Sequence, residues 1–121
     1  MSEALYERLG GTEGITKIVN DAVDIHFANP LIATRYENAK ANIDEMKNGA
    51  ATFFIAGTGG PSVYKGKDMI ATHKGMNISN TEFVEVISDV LKALNQNHIG
   101  QKEKEEVLYI LYSMKDEIVA V

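Results

Sequence analysis

The sequence predicts an all-α fold, and three of its features support that prediction. Apolar residues recur at spacings of three and four over several stretches, which is the period of a buried helix face. Alternation of apolar and polar residues with a period of two is nowhere sustained, so we expect no sheet. Proline occurs only twice in the 121 residues, at Pro30 and Pro61, which leaves long stretches free to form helices.

The first part of the chain predicts two helices. Residues 3–9 predict a short helix that ends at Gly10 and Gly11, and Thr12 can cap the next one. Pro30 disfavours helical backbone in the residue before it and therefore ends the second helix. The apolar stripe of that helix consists of Ile15, Ile18, Val19, Ala22, Val23 and His26.

A third helix follows a polar turn region at residues 31–41. Asn42 or Asp44 opens the helix, which stops by the glycine-rich segment 57–61 because glycine and proline do not extend a helix cheaply. The apolar side of this helix consists of Ile43, Met46, Ala50, Phe53 and Phe54.

The second half predicts a short element around Met69 and His73, and then two longer helices. Ser79 and Glu82 have the spacing of a capping box. The helix that they open has an apolar side made of Phe83, Val86, Ile87, Val90, Leu91 and Leu94. The last helix follows Gly100, and its apolar side consists of Val107, Leu108, Ile110, Leu111, Met114 and Ile118.

Composition and charge exclude several classes of function. The net charge is -5 and there is no basic stripe, so we expect no nucleic-acid partner. Absence of cysteine excludes disulfides and thiolate nucleophiles and suits a reducing cytoplasm. No apolar run has the length of a membrane span and the N-terminus lacks a signal peptide, so we expect a cytoplasmic protein of one domain, residues 1–121, without a membrane partner.

His73 is the most informative of the three histidines. Apolar residues flank it in sequence, Met69 and Ile70 before it and Met76 and Ile78 after it. A single imidazole in an apolar slot can ligate an iron whose equatorial ligands come from a porphyrin. A core histidine that donates to a backbone carbonyl fits the same spacing, and from spacing alone it is the more common case.

Other polar features have weaker support as functional groups. His26 is interpreted as a packing or surface residue, and His98 as a solvated residue at a polar helix end. The glycines at 57–60 lack the lysine and the preceding strand of a phosphate loop, so they predict a turn. We expect the carboxylates to be scattered over the exposed faces of the helices. No two of them can therefore be identified as a catalytic acid and base.

Several segments, in order along the chain, resemble the truncated haemoglobins. Residues 5–11 (LYERLGG) resemble the start of that family, and residues 59–73 (GGPSVYKGKDMIATH) resemble its segment around the iron-binding histidine. The phenylalanine pair before the glycines and residues 77–83 continue the match, with an apparent two-residue insertion near 37–42. The resemblance implies a two-over-two helical sandwich around haem b, of the first subgroup.

The resemblance also implies a set of haem-binding residues. His73 matches the proximal iron ligand, which makes it the expected metal-binding residue. Lys67 stands where the family often has a basic residue that pairs with a haem propionate, although a solvated surface lysine fits nearly as well. The full set expected to contact haem is Val23, Phe27, Tyr36, Met46, Ala50, Phe53, Phe54, Tyr64, Lys67, Met69, His73, Ile78, Phe83 and Val86.

The chain departs from the family on the ligand side of the iron. Val23 stands where the family usually has a tyrosine, and Met46 and Ala50 stand at the places of glutamines. None of the three is a good hydrogen-bond donor. Tyr36, at the place of a phenylalanine, can supply the missing hydroxyl.

Two classes of function follow. The resemblance implies a haem protein that binds oxygen, nitric oxide or carbon monoxide for transport, sensing or nitric-oxide handling, as a monomer or weak dimer with a reductase as partner. Nitric-oxide dioxygenation and a peroxidase-like side activity are the enzymatic options, and the apolar distal residues favour ligand binding over both. The alternative is a haem-free helical interaction module, which the colour of the purified protein distinguishes.

Overall fold

The computed structural model describes residues 4–35, 42–61, 63, 64 and 77–120, and these residues are mostly helical. Their helices are α1 (Leu5–Arg8), α2 (Gly11–Ala28), α3 (Ile43–Gly57), α4 (Asn80–Gln96), α5 (Gln101–Ser113) and α6 (Lys115–Ile118). Within the described ranges, extended pairing is limited to one isolated bridge between Ile78 and Val119. The prediction of an all-α fold is confirmed.

Helix α2 is central to the packing. It contacts both α3 and α4 along much of its length, and α4 also contacts α5. The helices therefore form two pairs, α2 with α3 and α4 with α5, which meet where α2 packs on α4. Every residue of the stripe predicted for α2 is buried, which confirms its orientation. The apolar core consists of Leu5, Leu9, Ile15, Ile18, Val19, Ala22, Val23, Ala51, Ile55, Val90, Ala93, Leu94 and Val107.

The start of α2 differs from the predicted one. Gly10 occupies the N-cap position with a φ of 100°, a left-handed conformation that glycine adopts without a steric penalty. The backbone N–H of Thr12 donates to the Tyr6 hydroxyl at 3.1 Å, and the two side-chain hydroxyls are 2.6 Å apart. The prediction that Thr12 caps α2 was wrong, because Thr12 lies inside the helix and a residue of α1 serves its N–H group.

The start of α4 agrees with the sequence pattern. The Ser79 hydroxyl accepts from the Glu82 backbone N–H at 3.1 Å, and the Glu82 carboxylate accepts from the Ser79 N–H at 3.0 Å. This reciprocal pair is the predicted capping box. Arg35 adds an ion pair to the same carboxylate, with Nε 2.5 Å from Oε2. The box therefore also attaches the segment after α2 to the beginning of α4.

The end of the chain departs from the predicted single helix. Helix α5 ends at Ser113, and the short helix α6 begins at Lys115. Val107 is buried as predicted, but Leu108 is 36% exposed because it points away from the face that packs on the core. In the described part of the chain, no helix combines the length and the apolar character that crossing a membrane requires.

Candidate functional site

An apolar cavity of about 420 Å³ lies between α2, α3 and α4, and residues of α5 complete its lining. Pockets that hold small ligands and cofactors have volumes of roughly 300–1,000 Å³ and are mostly apolar. The lining consists of Leu9, Ile15, Ile18, Val19, Ala22, Val23, His26, Met46, Gly49, Ala50, Phe53, Phe54, Tyr64, Val86, Val90, Leu94, Val107 and Leu111.

Helix α3 provides the aromatic wall of the cavity. Residues at positions 46, 49, 50, 53 and 54 fall on one helix face, while Ala51 and Ile55 on the other side are buried in the core. The ring centroid of Phe53 lies 6.0 Å from that of Phe54 and 5.3 Å from that of Tyr64, both edge to face. These contacts hold three aromatic rings together at one side of the cavity.

Polar side chains are scarce in this wall. Among the described residues that line the cavity, only His26 and Tyr64 carry a polar side chain. His26 lies on α2 and is 6% exposed. Its Nδ1 atom is 2.8 Å from Oδ2 of Asp89 on α4. Asp89 is fully buried, at 0% exposure.

Asn29 sets the direction of the hydrogen bonds around Asp89. The Asn29 Oδ1 atom accepts from the Leu31 backbone N–H at 3.0 Å, so the amide nitrogen is the end that faces α4. That nitrogen donates to both oxygens of Asp89, at 3.1 and 3.2 Å, and to Glu85 at 3.0 Å. Asp89 thus acts as an acceptor, and we infer that it also accepts the Nδ1–H of His26. In a neutral imidazole with a proton on Nδ1, the lone pair is on Nε2.

Burial controls the charge of His26. It lowers the pKa of the imidazole below the ordinary value of 6.5, and the hydrogen bond to Asp89 opposes this effect by favouring the charged form. At neutral pH the imidazole is therefore mostly neutral. The described wall consequently contains one buried neutral base whose tautomer is set by a buried carboxylate.

Two further cavities have similar sizes but a different chemistry. One of about 440 Å³ lies beside α1 and α5, where Arg8, Lys102, Glu105 and Glu106 contribute to its lining. Another of about 410 Å³ is lined in large part by threonine, asparagine, aspartate and lysine side chains. Because size does not separate the three cavities, the apolar and aromatic lining makes the first one the candidate site for an apolar cofactor.

The structure brings together half of the residues that the sequence predicts to contact a cofactor. Those that line the cavity are Val23, Met46, Ala50, Phe53, Phe54, Tyr64 and Val86. Phe27 packs against the main core, whereas Ile78 and Phe83 form a second apolar cluster with Ile87. The remaining predicted residues, which lie outside the described ranges, are Tyr36, Lys67, Met69 and His73.

Asp89 is the polar residue that the sequence analysis misplaced. Carboxylates were expected on helix exteriors, and for Asp89 this was wrong because the residue falls on the buried face of α4. It stands three residues after Val86 and directly before Val90, both of which line the cavity. This helical spacing is the local pattern that predicts burial of position 89.

Comparison with known sequences gives consistent matches over most of the chain. The sequence profile of the bacterial-like globin family matches residues 4–120. A group 1 truncated haemoglobin of Tetrahymena pyriformis is 30% identical over 96 residues, which cover 78% of this chain and 76% of that protein. A group 1 truncated haemoglobin of Tetrahymena thermophila is 29% identical over 94 residues, which cover 76% of this chain and 74% of that protein.

Solved structures share the arrangement of the helices. The truncated haemoglobin from Tetrahymena pyriformis, in its Fe(III) form, matches with a TM-score of 0.93 and 24% identity, covering 98% of this chain and 100% of that chain. A 2/2 haemoglobin from a Synechococcus species, in the cyanomet state and with covalently attached haem, matches with a TM-score of 0.85 and 20% identity over 95% of each chain. The two helix pairs described above therefore have the two-over-two globin fold.

Proposed function

The chain belongs to the bacterial-like globin family, as a truncated haemoglobin of group 1, and from this premise we propose that it is a cytoplasmic haem b protein that binds a diatomic gas. In this proposal His73 is the iron ligand from the protein, and oxygen, nitric oxide or carbon monoxide is the gas. The observation that carries the proposal is the apolar cavity of about 420 Å³ between α2, α3 and α4.

The lining of the cavity fits a porphyrin. A porphyrin is flat and mostly apolar, so its transfer from water into an apolar cavity is favourable. The edge-to-face rings of Phe53, Phe54 and Tyr64 offer a rigid aromatic surface on one side. Apolar residues of α2 and α4, such as Val23 and Val86, lie on other sides of the same cavity. We propose that these residues hold the haem.

The residues of this chain that line the cavity determine which interactions a bound gas can make with the protein. When bound, haem would supply the iron that coordinates a diatomic molecule. Val23, Met46 and Ala50 line the cavity without offering a hydrogen-bond donor, so they exclude water rather than stabilise charge. We assign Tyr36 as the distal donor and Lys67 as the partner of a propionate. The apolar distal residues support ligand binding over nitric-oxide dioxygenation.

Replacement of His73 by glycine tests the central assignment. The purified His73→Gly variant should lose its haem, or keep it only when imidazole is added to take the place of the side chain. His98→Gly is the matched control, because His98 is exposed and has a φ of 58° that glycine adopts readily. The measurement is the haem content and the Soret absorbance. Wild-type haem content and an unchanged spectrum in His73→Gly would reject the assignment.

A second variant tests the distal assignment. Tyr36→Phe removes the hydroxyl and keeps the ring. A hydrogen bond in a dry pocket contributes about 0.5–1.5 kcal/mol, so the dissociation rate of oxygen should rise by up to about tenfold. An unchanged dissociation rate would mean that Tyr36 does not reach the ligand.

A further inference from the structure

The outer face of α5 carries a contiguous apolar patch. Of the six large apolar or aromatic residues that the described part of the chain exposes, three lie on this helix: Leu108, Tyr109 and Tyr112, which are 36%, 76% and 53% exposed. They are three or four residues apart in the helix and therefore share a face. Single exposed apolar residues are ordinary on a protein surface, whereas a contiguous patch marks an interaction site. We call these three residues the α5 patch.

Tyrosine gives the α5 patch the composition of a protein interface. Tyrosine is enriched in the buried centre of interfaces, because its ring covers apolar area while its hydroxyl forms hydrogen bonds. The Tyr112 ring also contacts Phe83 of α4, with 6.1 Å between the two centroids, so the fold holds this ring in place. A ring that is already positioned loses little conformational entropy when a partner covers it.

Opposite charges stand at the two ends of the α5 patch. Glu105 precedes Leu108 by three residues and lies on the same face of α5. Lys115 follows Tyr112 by three residues, and its Nζ atom lies 5.6 Å from the centroid of the Tyr112 ring. Neither Glu105 nor Lys115 forms an ion pair with another residue of the described ranges. One end of the patch is therefore negative and the other is positive.

This order of groups is complementary to itself. In a twofold contact, a residue of one copy faces the same partner in the other copy that it would receive in return. With two antiparallel α5 helices and the axis at position 110, Leu108 faces Tyr112 and Glu105 faces Lys115, because the members of each pair lie equally far from that position. A parallel arrangement would place like charges together, and a partner surface of one charge sign would meet one like charge.

We propose that the α5 patch is the contact between two copies of this chain, packed antiparallel about a twofold axis and flanked by Glu105–Lys115 ion pairs. The patch is small, so the dimer is weak and the protein is monomeric in dilute solution. Val107 and Leu111, on the opposite face of α5, line the cavity. The contact therefore leaves the cavity free and does not depend on the haem.

The test measures the Kd of the haem-loaded dimer by sedimentation equilibrium over a range of protein concentrations, where the mean mass of the wild type should rise towards that of a dimer. Glu105→Lys and Lys115→Glu each bring like charges together, and the twofold axis repeats the contact. Each variant should therefore raise the Kd at least about tenfold. The double variant Glu105→Lys/Lys115→Glu restores opposite charges and should return to a Kd near that of the wild type.

An equimolar mixture of the two single variants tests the antiparallel pairing directly. In a mixed dimer both flanking contacts regain opposite charges, so the mixture should associate more tightly than either variant alone. Glu45→Lys is the matched control, because it makes the same charge change at an exposed position of α3, and it should keep the wild-type Kd. Tyr109→Ser removes the most exposed ring of the α5 patch and should raise the Kd.

The outcomes separate this inference from the proposed function. A haem-loaded wild type that stays monomeric at every concentration overturns the inference and leaves haem binding intact. A dimer whose Kd neither single variant changes lies on another surface and also overturns it. Failure of the double variant and of the mixture to recover association would reject the antiparallel pairing on which the inference depends.

Discussion

His26 and Asp89 are 63 residues apart in the chain, yet the Nδ1 atom of one lies 2.8 Å from Oδ2 of the other. The contact joins α2 to α4, the two helices along which the helix pairs meet. Asn29 adds a second link between the same helices. Every buried side-chain nitrogen and oxygen of the described residues has a hydrogen-bond partner. The pair is therefore a satisfied polar link in an otherwise apolar interface.

Removal of one member of this link should destabilise the fold. His26→Leu leaves a buried carboxylate without its imidazole donor, and leaving a buried acceptor unsatisfied in this way costs about 1–3 kcal/mol. Replacing both partners by apolar residues is often close to neutral, so His26→Leu/Asp89→Leu should be more stable than His26→Leu alone. Urea unfolding of the wild type, His26→Leu, Asp89→Leu and the double variant, followed by circular dichroism, measures the difference. If the two losses simply add, the side chains do not interact energetically.

Much of the fold could be predicted because its helices and caps are determined by residues that lie close together in the sequence. The stripe on α2 and the capping box of Ser79 and Glu82 depend on residues within one helix, and both are confirmed. The start of α2 was not predictable in this way. Its Thr12 N–H is served by Tyr6, a residue of another helix whose position depends on tertiary packing.

Less of the candidate site than of the fold could be predicted from the sequence. Helical spacing alone groups the cavity residues of α3, such as Met46, Ala50 and Phe53. The same spacing places Asp89 on a buried face, but a charged side chain predicts exposure unless its partner is known. That partner, His26, lies on a distant helix. The proximal and distal assignments to His73 and Tyr36 stay predictions, since both residues lie outside the described ranges.

Replacement of glycine by alanine should have opposite effects on stability at two positions. A Cβ atom at Gly14 would lie 2.4 Å from the carbonyl oxygen of Leu9, which is closer than non-bonded atoms approach. At Gly57, at the end of α3, it would meet no described atom within 4 Å. Alanine is favoured over glycine in a helix by up to about 1 kcal/mol. Gly57→Ala should therefore raise the free energy of unfolding by up to about 1 kcal/mol, and Gly14→Ala should lower it.

Chemical unfolding of both glycine variants and the wild type measures the sign of the change in the free energy of unfolding for each variant. A Gly14→Ala protein as stable as the wild type would show that the turn between α1 and α2 relaxes at little cost, contrary to the geometry at Leu9.

The ion pair of Arg35 with Glu82 should make stability depend on pH in the acid range. The Arg35 guanidinium and the Ser79 N–H hold the pKa of Glu82 at about 2, below its ordinary value of 4.5. The folded state thus favours the ionised carboxylate. Its contribution is complete above the unfolded-state pKa near 4.5 and is lost as the pH falls from there towards 2.

The size of this effect is limited by solvent. The side chains of Arg35 and Glu82 are 32% and 21% exposed, so screening reduces the contribution to about 1 kcal/mol. Glu82→Gln should flatten the acid part of the stability profile, which urea unfolding at a series of pH values measures. Glu105→Gln, at an exposed position of α5, is the control and should keep the wild-type slope. Equal slopes in all three proteins would mean that the ion pair does not survive in solution.

Haem should stabilise the folded chain. A ligand that binds only the native state raises its stability by mass action, by about 4 kcal/mol when its concentration is a thousand times the dissociation constant. Thermal unfolding with and without haem should therefore give a higher midpoint for the loaded protein. Equal midpoints would count against the cavity as the haem site.

A larger side chain inside the cavity should reduce the difference in the midpoint of thermal unfolding between the haem-loaded and the haem-free protein. Ala50 lies on the face of α3 that lines the cavity, so Ala50→Phe fills space that the porphyrin needs. Ala28, at the exposed end of α2, accepts the same replacement without entering the cavity, and Ala28→Phe serves as the control. The rise in midpoint on haem addition should shrink in Ala50→Phe and persist in Ala28→Phe, because only the former competes with the cofactor for volume. A full rise in both variants would place the haem against a different surface of the protein.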